Sequence, residues 1–173
     1  MENFIKKVNS ILQDRFAFDA QIYGIAEPLI LREEEDSMLP VINVDGECYS
    51  VLHDDIKNLT SYHRLVSKSY EFAANGFGDS KTVRELYNFN LIVIGSREEY
   101  DQYEMESLFA RTLIDCEDKY NVVHVTQSTF DAQSIFASEY TGIQSILPLN
   151  LFCFKISYKL TQVQSPCKKT LEL

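Results

Sequence analysis

Apolar residues recur along this chain first at helical and then at strand spacing. Ile5, Val8, Ile11, Leu12 and Phe16 fall on one face of a 3.6-residue period, with Lys6, Asn9, Gln13 and Asp14 opposite. The spacing predicts an amphipathic helix over 5–16, closed by Asp19. A short strand follows over 21–26, which Pro28 is expected to break. Residues 32–37 hold Glu33, Glu34, Glu35 and Asp36, a run of like charge that predicts an exposed loop. From Pro40 the chain reads Val41, Ile42, Val44, then Asp45-Gly46, then Cys48, Tyr49 and Val51. Asp-Gly supplies the positive φ angles of a two-residue turn, so a tight hairpin is expected here.

A second, longer hairpin is predicted, with arms over 62–74 and 83–94 and a glycine-bearing turn over 75–80. In its second arm Tyr87, Phe89, Leu91 and Val93 share one face. Asn88, Asn90, Ile92 and Ile94 share the other, which turns apolar only at its end, so something should cover the sheet there. Ser96 and Glu99 have the spacing of a capping box, and Met105, Leu108, Phe109, Leu113 and Cys116 form an apolar stripe. Together they predict a helix over 98–118. A strand over 120–126 comes next. Ser128 with Asp131 then suggests the start of a short helix carrying Phe130, Ile135 and Phe136 and ending near Gly142. The clearest strand is the last, over 151–160, where Phe152, Phe154, Ile156, Tyr158 and Leu160 alternate with more polar neighbours. The expected fold is one α+β domain over 1–161: a mostly antiparallel sheet with a long hairpin, packed by an N-terminal and a central amphipathic helix. A polar tail over 162–173 completes the chain.

Composition narrows the partners. The chain has 173 residues, 45% hydrophobic and 12% aromatic, enough for a single packed core. Its formal net charge is -10, and the basic residues are scattered, with only the pairs Lys6-Lys7 and Lys168-Lys169. A nucleic-acid backbone or an anionic lipid surface would be repelled by the average field. Cys48, Cys116, Cys153 and Cys167 form no CxxC pair and read as free thiols, with Cys48 and Cys153 as small core residues. The amphipathic start lacks the apolar stretch of a signal peptide, and no apolar run approaches a bilayer-spanning length. The expected setting is a reducing one, the cytoplasm or a particle assembled there.

Candidate chemistry is sparse. Gly76-Phe77-Gly78 lacks a third glycine and falls in a hairpin turn, not between a strand and a helix, so it is read as a turn and not a phosphate loop. Glu47, His53, Asp54 and Asp55 are the one clustered polar set, but adjacent strand residues point to opposite faces. His63 and His124 occupy strand positions with no cysteine or serine placed beside them as a nucleophile. No catalytic, cofactor-binding or metal residue is therefore assigned, and an enzyme is not expected. Among the ten tyrosines, Tyr100, Tyr103 and Tyr140 stand in polar surroundings, a placement shared by interface and core tyrosines.

The order of the helix over 5–16, the long hairpin over 62–94, the helix over 98–118 and the closing strand over 151–160 resembles the small tail-terminator and neck proteins of tailed bacteriophages. That resemblance covers about residues 1–161 and rests on element order. The hairpin at Asp45-Gly46, the short helix near Phe130 and the polar tail depart from the simplest form of that family. It implies a structural virion protein assembled in the host cytoplasm, a head-tail connector or tail terminator. Its partners would be a homo-oligomeric ring of six or twelve subunits and neighbouring portal, neck or tail proteins, with DNA as passing cargo and no membrane. The alternative is an acidic immunity or inhibitor protein that blocks a basic partner.

Overall fold

The structure, a computed structural model, describes residues 1–34, 37–50, 58–74, 81–139 and 149–163. Helix α1 (Glu2–Phe16) leads through a 3-10 turn, Ala17–Asp19, into β1 (Ala20–Ile25). Then come β2 (Glu27–Glu34), β3 (Ser37–Val44), β4 (Glu47–Ser50), β5 (Leu59–Ala74) and β6 (Lys81–Ser96). Helix α2 (Gln102–Asp115), β7 (Asn121–Thr129), α3 (Ala132–Glu139) and β8 (Leu151–Val163) complete the order. The main sheet runs β1-β5-β6-β8-β7, and a separate antiparallel sheet runs β2-β3-β4. The fold is α+β, and the main sheet is mixed because β1 lies parallel to β5, with Ala20 opposite Leu59, while its other pairs are antiparallel.

The alternating pattern of β6 becomes the division between two cores. Tyr87, Phe89, Leu91 and Val93 are all buried on one face, against Phe152, Phe154, Ile156, Tyr158 and Leu160 of β8 and the apolar stripes of α1 and α2. Phe109 of α2 stacks on Phe16 of α1 at 6.0 Å and meets Phe154 edge-on at 5.9 Å, so the two helices share one aromatic seam. On the other face, Ile92 and Ile94 are covered as expected, by Ile135 and Phe136 of α3 and Ile42 of β3. The Arg64 guanidinium reaches Glu139 Oε2 at 2.5 Å across this second face, tying the end of α3 to the sheet.

The Asp45-Gly46 turn forms as predicted, with φ of 54° and 92° at its two residues. Elsewhere the elements shift. Arg32, Glu33 and Glu34 belong to β2 and Ser37 to β3, so the expected loop over 32–37 is largely strand; its centre, Glu35 and Asp36, lies outside the described residues. Pro28 sits inside β2 opposite Ile42 instead of ending a strand. An edge strand such as β2 tolerates both a proline and a charged sequence. Ser96 does not cap α2: its carbonyl accepts the Tyr100 N–H and its hydroxyl the Glu98 N–H, closing a turn. The cap is Asp101, whose Oδ1 accepts the N–H of Tyr103 and Glu104, both at 2.9 Å. Likewise Ser128 is the eighth residue of β7, and Asp131 caps α3 by accepting the Gln133 N–H. Strand β8 reaches Val163, three residues beyond the expected stop.

Candidate assembly surface

Strands β5 and β6 are each 16 residues long, more than the layers above and below them cover. In the inner half, Leu59 to His63 are buried without exception. Beyond a bulge between Leu65 and Ser67, every β5 residue from Leu65 to Phe72 is exposed. Register places Lys68, Tyr70 and Phe72 opposite Tyr87, Glu85 and Val83, on the face that α1 and α2 cover further in. The apolar cluster under the helices ends at Tyr87; past it Glu85 is still buried, but Tyr70 and Phe72 are 53% and 72% exposed. Val66, at the bulge, is 56% exposed. Four large apolar side chains, Leu65, Val66, Tyr70 and Phe72, are exposed together on this one arm, a grouping that suits an interaction surface.

The arm is held in shape by its own polar cluster. Lys68 Nζ lies 3.3 Å from Glu85 Oε1 and sits over the rings of Tyr70 and Tyr87, at 4.9 and 5.0 Å from their centres. The Tyr87 hydroxyl donates to Glu85 Oε2. This bond, followed by Lys68, holds the Glu85 carboxyl below the usual carboxylate range. Burial, and then the same carboxylate, pushes the Tyr87 phenol up. Contacts with Tyr70 and Tyr87 raise the Lys68 ammonium, so the cluster stays charged across the physiological range. Sequence reasoning did not single out these four residues. The signal was the alternation Lys68, Tyr70, Phe72 on an arm too long for its helices.

The residues that the sequence did single out scatter. His53, Asp54, Asp55, Gly76, Phe77, Gly78 and Tyr140 lie outside the described residues, and Glu47 accepts a bond from Tyr49 on the surface of β4. Among the described residues no three His, Cys, Asp or Glu side chains converge as metal ligands. Cys48, expected in the core, is exposed on β4, because that strand is an edge of the small sheet. Cys153 is buried on the second face, and desolvation pushes its thiol far up. His63 is fully buried, its Nδ1 2.9 Å from the Tyr158 hydroxyl and its ring edge-on to Phe89, and burial lowers its pKa to about 3. It is a neutral core group. His124 is exposed on β7. Tyr100 turns inward, edge-on to Phe16 at 5.8 Å, whereas Tyr103 is 68% exposed.

Tyr103 borders an open groove of about 600 Å³ between α1 and α2, lined also by Ile11, Arg15, Leu108, Arg111 and Asp115. Its charges, Arg15, Glu104, Arg111 and Asp115, are mixed and lie along the two helices, and the buried Thr112 hydroxyl at its wall donates to the Leu108 carbonyl. No helix of the described residues is long and apolar enough to cross a membrane. No known family model matches the chain, and no curated protein matches it.

Proposed function

We propose that this chain is a structural subunit of a tailed-phage neck or tail, acting as a head-tail connector or tail terminator and working by assembly, not by catalysis. The observation that carries the reading is the projecting outer half of the β5–β6 hairpin, an exposed aromatic arm braced by Lys68, Glu85 and Tyr87. Such an arm supplies area and partly solvated hydroxyls at low rotamer entropy, which suits contact with a neighbouring subunit. The resemblance in element order supports the same reading. A ring of six or twelve copies would join portal-side to tail-side components, its net charge of -10 letting DNA pass without adhering.

Light scattering on the purified protein, alone and with neck or tail particles, tests this. Closed assemblies of six or twelve subunits, or uptake into such particles, are the expected result. A persistent monomer that captures one small basic protein would replace the reading with that of an acidic inhibitor.

A further inference from the structure

Among the described residues the outer arm of β5 has backbone partners on one side only. Its residues pair regularly with β6 from Ser67 opposite Asn88 to Ala74 opposite Lys81. Among the described residues no strand lies on its other side, because β1 pairs with β5 only from Leu59 to His63 before the chain passes into the small sheet. A regular, unpaired edge of this length that also carries exposed aromatics is a template for another strand.

The opposite edge of the same sheet is closed. On β7 the Asn121 N–H donates to Asp118 Oδ1 at 2.9 Å, and the Asn121 carbonyl accepts the Asp118 N–H at 3.0 Å. The Val123 N–H donates to Glu117 Oε1 at 2.9 Å. These are the β7 groups level with the outer arm, since Asn121 and Val123 face Gln162 and Leu160 of β8, which face Glu85 and Tyr87 of β6. A head-to-tail extension of the sheet from β5 of one copy to β7 of the next would have to displace both carboxylates.

We infer that two copies of this chain join β5 to β5, antiparallel about a two-fold axis, making one sheet continuous across the pair. An open edge set against itself is complementary by symmetry, so no second surface is needed. Charge permits it: the chain carries -10, but between Leu65 and Phe72 the charged residues are Lys68 and Glu71, which cancel. Chemistry favours an axis at Ser69. That register sets Lys68 of one copy against Tyr70 of the other, the contact Lys68 already makes with its own Tyr70, and sets Ser67 against Glu71. The pair rests on the same arm as the proposed assembly role but not on the ring, because a cyclic ring closes through a heterologous contact and β5 set against β5 is not one.

Sedimentation of the full chain over a range of concentrations, combined with disulfide trapping, tests the pairing. With Cys48 and Cys167 changed to serine, Ser69→Cys is expected to give a covalent dimer under mild oxidation, while His124→Cys on β7 gives none. Ser67→Lys, facing Glu71, should tighten the association several-fold, and Ser67→Glu should loosen it several-fold, with similar thermal melts for the two variants at dilutions where the chain is unpaired. A monomer at every concentration would overturn the inference. So would association only with a different protein, a dimer that Ser69→Cys fails to link, linkage through position 124, or equal effects of the two Ser67 substitutions. None of these readouts depends on whether six or twelve copies also close into a ring.

Discussion

In its inner half the β5–β6 hairpin is covered on both faces, by α1 and α2 on one side and by α3 with β3 on the other; in its outer half it projects past all of them. The local ingredients hardly differ. Tyr62 and Tyr70 are both strand tyrosines, yet one is 1% exposed and the other 53%. What differs is the presence of a covering layer, and that decides whether an aromatic side chain stabilises the fold or remains available to a partner. Burial of a large side chain contributes about 1.5–3 kcal/mol to folding. The same surface left open is free to contribute to association instead, so on the proposed reading one hairpin serves as core at one end and as contact surface at the other.

The comparison breaks most visibly at the inner end. Phe154 is fully buried and meets Phe109, Phe130 and Phe152. Truncation by Phe154→Ala should cost about 3–5 kcal/mol, read as a lowered urea midpoint at unchanged slope. A smaller loss, about 1–3 kcal/mol, is expected from Gly95→Ala. Gly95 lies where β5, β6 and β8 meet, and an added Cβ would stand 2.4 Å from Phe152 Cζ and 3.1 Å from Leu59 Cδ1. The Phe152 ring, and to a lesser degree the Leu59 side chain, would have to give way.

Acid sharpens the contrast further. His63 has its pKa lowered from 6.5 to about 3 by burial, so below pH 6.5 the unfolded chain binds a proton that the folded chain refuses. Folding stability therefore falls as pH falls from about 6.5 toward 3, by about 1.4 kcal/mol per pH unit from this residue once well below 6.5. Urea denaturation at a series of pH values should show this slope in the parent and a shallower one in His63→Gln. Equal slopes would place the acid sensitivity elsewhere. The outer cluster has the opposite character: Glu85 is held below its usual range and Lys68 above its own, so neither changes charge between pH 6 and 8.

Much of the fold was legible because its strongest signals are periodic. The stripe from Ile5 to Phe16, the alternation around Phe89 and Phe154, and the positive-φ pair Asp45-Gly46 each specify local geometry regardless of context. The misplaced features are those that tertiary pairing decides. Glu33 and Glu34 read as loop because like charges repel, yet both belong to the edge strand β2. Ser96 and Ser128 carry helix-start spacing, but the strands continue through both, and Asp101 and Asp131 take up the caps instead. The candidate surface was hidden for a similar reason. Strand length can be read from the pattern, but where the helix layer ends over a strand depends on how long each element runs and where it docks. Nothing in Tyr70 or Phe72 taken alone separates an exposed aromatic from a buried one.

The smallest effect on stability, and the most telling for function, belongs to Phe72. At 72% exposure its ring has little apolar area shielded from water, so Phe72→Ala should leave the urea midpoint within about 0.5 kcal/mol of the parent. Lys68, Tyr70 and Phe72 lie on one face of the arm, and pairing β5 with β5 would bring two such stripes together and shield both. The substitution should therefore weaken self-association measured by sedimentation while the melt of the dilute, unpaired chain stays where it was. Phe154→Ala should show the converse, a large loss of stability with an intact outer edge as long as the variant is studied well below its midpoint. If Phe72→Ala instead destabilises the monomer by as much as a core truncation, the outer half of the hairpin is covered within the single chain. The contrast between core end and contact end would then be lost.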